Sequence, residues 1–275
     1  MTDVSATGGQ VLDQATDLLE STRALFDRSL SHIKENAMDG DRISAAKLDT
    51  QQLVSYDLSL CWAEITAAGF LLSYARRCYD DAPGSAEFAT SLAALFCAEA
   101  VNASVARLRS RPAGYGLSDA DISEVVNGGS AADFLATQLA ADNIAAIGAQ
   151  VLERDGDLGA DLLNEHHTMM RDTFRRFSDE VVAPLAEEVH REDLIIPDAI
   201  LEPLKEMGMF GLSIPETYGG LQEDDKEDTM GMIVVTEELS RGSLGAAGSL
   251  ITRPEILSRA LLKEGSEEQK QHWLP

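Results

Sequence analysis

The pair His166–His167 is the first feature of the sequence that could do chemistry, because imidazole nitrogens bind transition metals. Neighbouring residues of a helix point about 100° apart, and no cysteine or acid stands at a ligand spacing from both histidines. We therefore predict no metal site there. The remaining histidines, His32, His190 and His272, each stand alone, which favours an ordinary structural role.

Glycines and acids form two further clusters. Gly242, Gly245 and Gly248 recur every three residues, whereas a dinucleotide-binding fingerprint needs a different spacing after a strand. They predict a helix face thinned for close approach to a neighbouring helix or a ligand. The acidic run over residues 223–228 lacks the alternating ligands and central glycine of a calcium loop, so it predicts a solvated loop and helix start.

Arg107, Arg109 and Arg111 form the basic patch of the first half of the chain. A phosphate site is one interpretation, but the end of a helix also favours cations, and we prefer that structural interpretation. No nucleophile triad, pair of catalytic carboxylates or phosphate loop can be assembled from the sequence.

The elements that must position these residues are predicted to be helices. Apolar residues recur at intervals of three and four, and no convincing strand alternation occurs, so we predict an all-α fold of two helical bundles. Ser266 and Gln269 match a capping box that opens a last helix. The periodic stretches are residues 11–33, 56–74, 88–108, 131–153, 163–185, 197–207, 230–239 and 250–262.

Glycines and acids at Asp155–Gly159 mark the predicted domain boundary. We expect one helical domain over residues 1–155 and a second over residues 160–275. The loop Ile214–Gly220 cannot continue a helix and predicts an ordered turn.

Composition narrows the class of partner. The 275 residues carry a formal net charge of -25, which disfavours nucleic acid and anionic membrane surfaces. No apolar run of membrane-spanning length and no secretory signal are evident, so we expect a cytoplasmic protein. Cys61, Cys78 and Cys97 lie in apolar helical patterns and are predicted to be reduced core residues.

Four segments carry a resemblance in their order and spacing: Phe177–Pro184, Leu204–Leu221, Glu237–Arg241 and Gly265–Pro275. Through them the chain resembles, from about Asp161, the N-terminal helical domain of acyl-CoA dehydrogenases. The resemblance implies that the flavin β-domain, a second helical bundle, the catalytic glutamate and most FAD contacts belong to parts beyond Pro275. We therefore expect a piece of a longer or split enzyme, with no catalytic residue and no dehydrogenase activity of its own.

The first 150 residues are an addition to the usual family plan. Phe96–Ala106 and Gly114–Gly116 faintly resemble the family's own C-terminal bundle. A helical extension in this place resembles the methylsuccinyl-CoA dehydrogenases of the ethylmalonyl-CoA pathway. This implies oxidation of (2S)-methylsuccinyl-CoA to mesaconyl-CoA by α-proton abstraction and β-hydride transfer to FAD, with electron-transferring flavoprotein as acceptor and a homo-oligomeric enzyme. The alternative is a catalytically inactive helical subunit or interaction module that needs a partner chain.

The resemblance also implies that the helix Ser243–Leu262 forms one wall of the acyl pocket. On it we expect Arg253 to bind the free carboxylate of a short dicarboxylic acyl group, with Thr252, Ser249 and Ala247 beside it. In glutaryl-CoA dehydrogenases the carboxylate-binding arginine matches the position of Ala247, so Arg253 is not a direct carry-over. A surface arginine near a helix kink is the alternative.

Overall fold

The computed structural model describes residues 4–157 and 159–275, without the side chains of residues 4–7 and 253. Its backbone contacts divide the chain into two compact units, Met1–Leu162 and Leu163–Pro275. Both units are helical, which confirms the predicted all-α fold.

The first unit is built on three long helices and several short ones. A 3-10 turn over Pro112–Tyr115 joins its long helices to the short ones. The helices are α1 (Val4–Ala37), α2 (Ala45–Asp49), α3 (Gln52–Asp81), α4 (Pro83–Ser110), α5 (Asp119–Asn127), α6 (Gly129–Gln138) and α7 (Ala141–Glu153).

Small residues let α1, α3 and α4 pack closely. The face of α4 includes Ala93, Ala98 and Cys97, all fully buried in one apolar core with α1 and α3. The three cysteines are free and buried, which confirms their predicted core positions. Burial raises the pKa of the Cys97 thiol to about 12, so this thiol stays protonated and unreactive.

Three details of the first unit differ from the sequence prediction, and two of them concern the breaks between helices. The polar break after α1 holds a short antiparallel hairpin, β1 (Met38–Asp39) and β2 (Arg42–Ile43), which turns at Gly40 with φ 64°. The predicted helix over 131–153 is two helices, because Leu139 and Ala140 break it. The Asn143 amide donates to the Gln138 carbonyl at 2.8 Å and satisfies one carbonyl freed by the break.

The core-facing side of α3 is the third difference. The predicted apolar stripe contains Tyr56, Ala63, Ala67 and Phe70, and these side chains are exposed. The buried face is another one, because α3 has apolar residues on two sides and periodicity alone does not say which side meets the core. Its members are Leu58, Cys61, Ile65, Ala68, Leu72, Ala75 and Cys78.

Helices α3 and α4 are each long and apolar enough to cross a membrane by length and composition, which the sequence prediction overlooked. The qualifying window of α4 is 61% buried, as expected for the core helix of a folded domain. The corresponding window of α3 is only 33% buried.

The second unit is a bundle of shorter helices. Two single π turns, Ser178–Val182 and Leu244–Gly248, interrupt helical runs that would otherwise be regular. The predicted capping box of Ser266 and Gln269 is confirmed. The helices are α8 (Glu165–Phe177), α9 (Ala183–Arg191), α10 (Asp198–Glu206), α11 (Thr229–Ser243), α12 (Ser249–Glu264) and α13 (Glu267–Trp273).

The conformation of the loop after α10 requires glycine at two positions. It contains a 3-10 turn over Glu216–Tyr218 within the segment predicted as non-helical. Gly219 has φ 87°, and a Cβ on Gly220 would lie 1.9 Å from the Ile214 carbonyl oxygen. The Tyr218 hydroxyl donates to Glu267 at 2.9 Å, which joins the loop to α13.

Candidate functional site

The predicted substrate-binding residues lie on the second π turn and the first turns of α12. Ala247 is fully buried in the core of the second unit. The Ser249 hydroxyl donates to the Gly245 carbonyl at 2.8 Å, and that of Thr252 to the Ser249 carbonyl at 3.2 Å. The backbone of Arg253 continues α12, but its side chain lies outside the described part of the structure. Its role as a carboxylate ligand therefore stays a prediction.

Close helix packing precedes this segment. A Cβ on Gly242 would lie 2.3 Å from the Ser178 Oγ and 3.1 Å from Val182, so the end of α11 touches the first π turn through bare backbone. A Cβ on Gly248 would lie 2.3 Å from the Ser240 Oγ, whereas Gly245 faces open space. Two of the three glycines thus serve helix contact, as the spacing predicts.

A buried carboxylate fixes α11 to α8. Glu238, with its side chain only 2% exposed, accepts two-pronged hydrogen bonds from Arg175 (2.6 and 3.1 Å) and another from Arg241 (2.9 Å). Arg241 also pairs with Asp179 at 2.8 Å. Burial works to raise the pKa of Glu238, but the two guanidinium groups outweigh it and hold the pKa below its usual value.

His166 and His167 meet a carboxylate that the sequence did not place near them. The ring nitrogens and an Asp228 oxygen lie within 4.8 Å of one another, an arrangement of three ligands that could hold a metal ion. The sequence argument considered only local spacing, whereas Asp228 arrives from the start of α11.

Asp228 has a structural role at the start of α11. Its Oδ1 accepts from the Gly231 amide at 3.0 Å as the N-cap of α11, and it bonds to His167 Nε2 at 2.8 Å. Partial burial works to raise its pKa, but these hydrogen bonds bring the pKa below the usual value. These hydrogen bonds link α8 to α11 without a metal ion. The predicted lack of a metal site stays a prediction.

The arginine cluster of the first unit is largely occupied by acids. Arg107 donates two hydrogen bonds to the Glu64 carboxylate, at 2.5 and 2.8 Å, and Arg111 pairs with Asp57 at 2.8 Å. Arg109 donates to Ser123. Two of the three guanidinium groups thus tie the end of α4 and the residue after it to α3, in agreement with the structural interpretation.

The second unit presents large apolar side chains to solvent. Met230 and Ile233 on α11 are about half exposed, and Ile256 on α12 is 71% exposed. Such a density of exposed apolar side chains marks a surface that is usually covered by other protein or by ligand.

Two arginines of the second unit are unavailable to the phosphates of a flavin. A flavin dinucleotide needs cations or free amides for its phosphates. Arg175 and Arg241, the guanidinium groups of the buried network, are both committed to Glu238. We therefore assign no flavin-binding residue and no step of a flavin reaction to this chain.

Several known proteins are similar to this chain in amino-acid sequence. The acyl-CoA dehydrogenase N-terminal domain family matches residues 164–275. The (2S)-methylsuccinyl-CoA dehydrogenase of Cereibacter sphaeroides is 34% identical over 97% of this chain and 48% of its own length.

Two other relatives match a smaller part of the chain. The 3-(aryl)acrylate reductase of Clostridium sporogenes is 32% identical over 40% of the chain and 28% of its own length. The glutaryl-CoA dehydrogenase of Desulfococcus multivorans is 31% identical over 41% of the chain and 28% of its own length. The chain thus spans about half or less of these relatives. Through its second unit, the chain belongs to the acyl-CoA dehydrogenase family.

Proposed function

We propose that the chain is the amino-terminal part of a flavin-dependent acyl-CoA dehydrogenase that oxidises (2S)-methylsuccinyl-CoA to mesaconyl-CoA. The observation that carries this proposal is the extent of similarity. The relative named for that substrate aligns with 97% of the chain, including the added first unit, whereas the reductase and the glutaryl-CoA dehydrogenase cover about two fifths. As in that family, electron-transferring flavoprotein, a homo-oligomer and a cytoplasmic location belong to the proposal.

The part of this chain in the reaction would be to line the acyl pocket. Catalytic base and flavin are proposed to reside beyond Pro275. On α12, Arg253 would bind the free carboxylate, because a guanidinium can offer two parallel hydrogen bonds to it. A neutral acyl tail would leave such a charge unpaired in an apolar pocket, which is costly.

An inactive helical subunit that needs a partner chain is the second candidate. The exposed apolar side chains Met230, Ile233 and Ile256 favour contact with further protein, and this holds for either candidate. The two differ in whether the chain can complete a working enzyme.

A chimera decides between them. Residues 1–275 would replace the matching part of the Cereibacter sphaeroides enzyme, and reduction of an artificial electron acceptor would be followed with methylsuccinyl-CoA. We expect a yellow, active chimera and a colourless, inactive 275-residue chain. A folded chimera that binds flavin but oxidises neither methylsuccinyl-CoA nor butyryl-CoA would favour the inactive subunit.

Arg253→Met in the chimera tests the substrate. The ratio of kcat/KM for methylsuccinyl-CoA to that for a neutral branched acyl-CoA should fall at least about tenfold, because charge-assisted hydrogen bonds to the carboxylate are lost. Lys263→Met, an exposed cation on the same helix, is the matched control and should leave the ratio unchanged. An equal loss for both substrates would make Arg253 a structural residue.

A further inference from the structure

The exposed side of α3 carries a regular apolar seam, which the proposed acyl pocket does not use. Its positions alternate by three and four over residues 53–70, the spacing by which one helix packs along another. The seam consists of Leu53, Tyr56, Leu60, Ala63, Ala67 and Phe70.

Solvent reaches five of the six seam positions, and the sixth, Leu60, is half-buried. Leu53, Tyr56 and Phe70 are 66%, 65% and 73% exposed, and the two alanines are exposed between them. Just beyond the seam, the Tyr74 hydroxyl donates to the Ala160 carbonyl at 2.7 Å, so the chain itself covers the next position. At a rise of 1.5 Å per residue the open seam is about 26 Å long.

The order of side chains makes the seam complementary to itself. When two copies run antiparallel about an axis between residues 61 and 62, Leu60 faces Ala63 and Tyr56 faces Ala67, each large side chain opposite a small one. Leu53 faces Phe70 at both ends. This arrangement uses every seam position and closes as a two-fold pair.

The flanks of the seam carry no free charge that would oppose this pairing. On one side lie Gln52, Ser59 and Thr66, which are uncharged. On the other side, Asp57 is paired with Arg111 and Glu64 with Arg107. Although the chain as a whole has a net charge of -25, the seam itself is locally neutral.

The exposed area is enough for a modest dimer. A fully exposed aromatic side chain carries roughly 150–250 Å², so Leu53, Tyr56 and Phe70 present on the order of 400 Å² per copy. With the rest of the seam, two copies would bury about 1,000 Å², the lower limit of a specific interface. We propose that a second copy of this chain binds along the α3 seam, antiparallel and two-fold symmetric, in a weak and concentration-dependent dimer.

Sedimentation equilibrium of the 275-residue chain tests the proposal, at about 0.3 M salt so that general charge repulsion is screened. Leu53→Glu should raise the dimer Kd at least about tenfold, and Ala67→Glu, opposite Tyr56 of the second copy, should do the same. Leu152→Glu on α7 is the matched control, because it changes the same residue type and charge at a position that is 82% exposed and off the seam. Circular dichroism would verify that each variant is folded.

Three outcomes would overturn the proposal. The chain could stay monomeric at about 200 µM, Leu152→Glu could weaken the dimer as much as Leu53→Glu, or both seam variants could leave it unchanged while folded. A lipid surface is the competing occupant, and flotation with uncharged phosphatidylcholine vesicles tests it. A monomeric chain that floats with vesicles and loses this on Leu53→Glu would assign the seam to lipid instead.

Discussion

Single residues determine how firmly α11 is held in the second unit, and Glu238 is the decisive one. The Glu238 side chain is buried, whereas its two partners, Arg175 and Arg241, are 50% and 42% exposed. Removing the carboxylate would leave Arg175 without its buried partner, whereas Arg241 would keep its ion pair with Asp179. Its neighbour Glu237 points to solvent.

Glu238→Gln should lower the free energy of unfolding by about 1–2 kcal/mol at pH 7, because charge-assisted hydrogen bonds become weaker neutral ones while the two half-exposed guanidinium groups stay solvated. Urea denaturation followed by circular dichroism measures this. Glu237→Gln is the control and should stay within about 0.5 kcal/mol of wild type. Equal effects of the two changes would mean that the buried network contributes nothing specific.

The pH dependence has a definite sign. The folded-state pKa of Glu238 is lowered, so its contribution is present above the unfolded-state pKa of about 4.3 and is lost as pH falls through the folded value. The wild-type chain should therefore lose stability more steeply than the Gln variant as the pH falls below about 5.

At the residue scale, the sequence predicts local contacts better than distant ones. The Ser266–Gln269 capping box spans four residues and could be identified from the pattern alone. The bond between His167 and Asp228 joins residues 61 positions apart, and no local spacing signals it. The family resemblance identified Glu237–Arg241 as a motif, but only the packing shows which glutamate is buried.

At the scale of elements, helix existence was predictable and the choice of face was not. α3 has two apolar faces, and the larger side chains of the exposed seam gave the stronger pattern. The buried face mixes large residues such as Leu58 and Ile65 with small ones such as Ala68, and the small ones let α4 approach closely with its own alanines. Size complementarity between two helices is a property of the pair, which the pattern of one helix does not contain.

Ala98→Leu on α4 tests this close approach. Ala98 is fully buried, so three added carbons must displace neighbouring side chains or backbone, at a cost of about 1–3 kcal/mol in unfolding free energy. Ala106→Leu on the exposed side of the same helix is the control and should be nearly neutral. Thermal unfolding of both variants measures the difference, and a stable Ala98→Leu variant would show that the helices have room between them.

At the scale of the whole molecule, the segment between the two units is the feature that sequence and structure locate differently. The glycines and acids place the predicted boundary at Asp155–Gly159, whereas backbone contacts group residues up to Leu162 with the first unit. The reason is local: Ala160 receives the Tyr74 hydrogen bond, and Leu162 packs against the first core. The glycines and acids indicate where the chain can turn, but they do not indicate which unit the following residues contact.

Limited proteolysis with an enzyme that cuts after acidic residues should first cleave at Asp155 or Asp157. This segment is exposed and holds backbone that side chains rarely adopt, with φ 47° at Asp155 and 91° at Gly156. Asp39 and Asp41 are the internal control, because they are also exposed beside a glycine but lie in the hydrogen-bonded hairpin β1–β2. Mass spectrometry of the first products would identify the site. Two protease-resistant fragments that meet near residue 155 would establish separately folded units, whereas a first cut in the hairpin or inside α10 or α11 would refute the boundary.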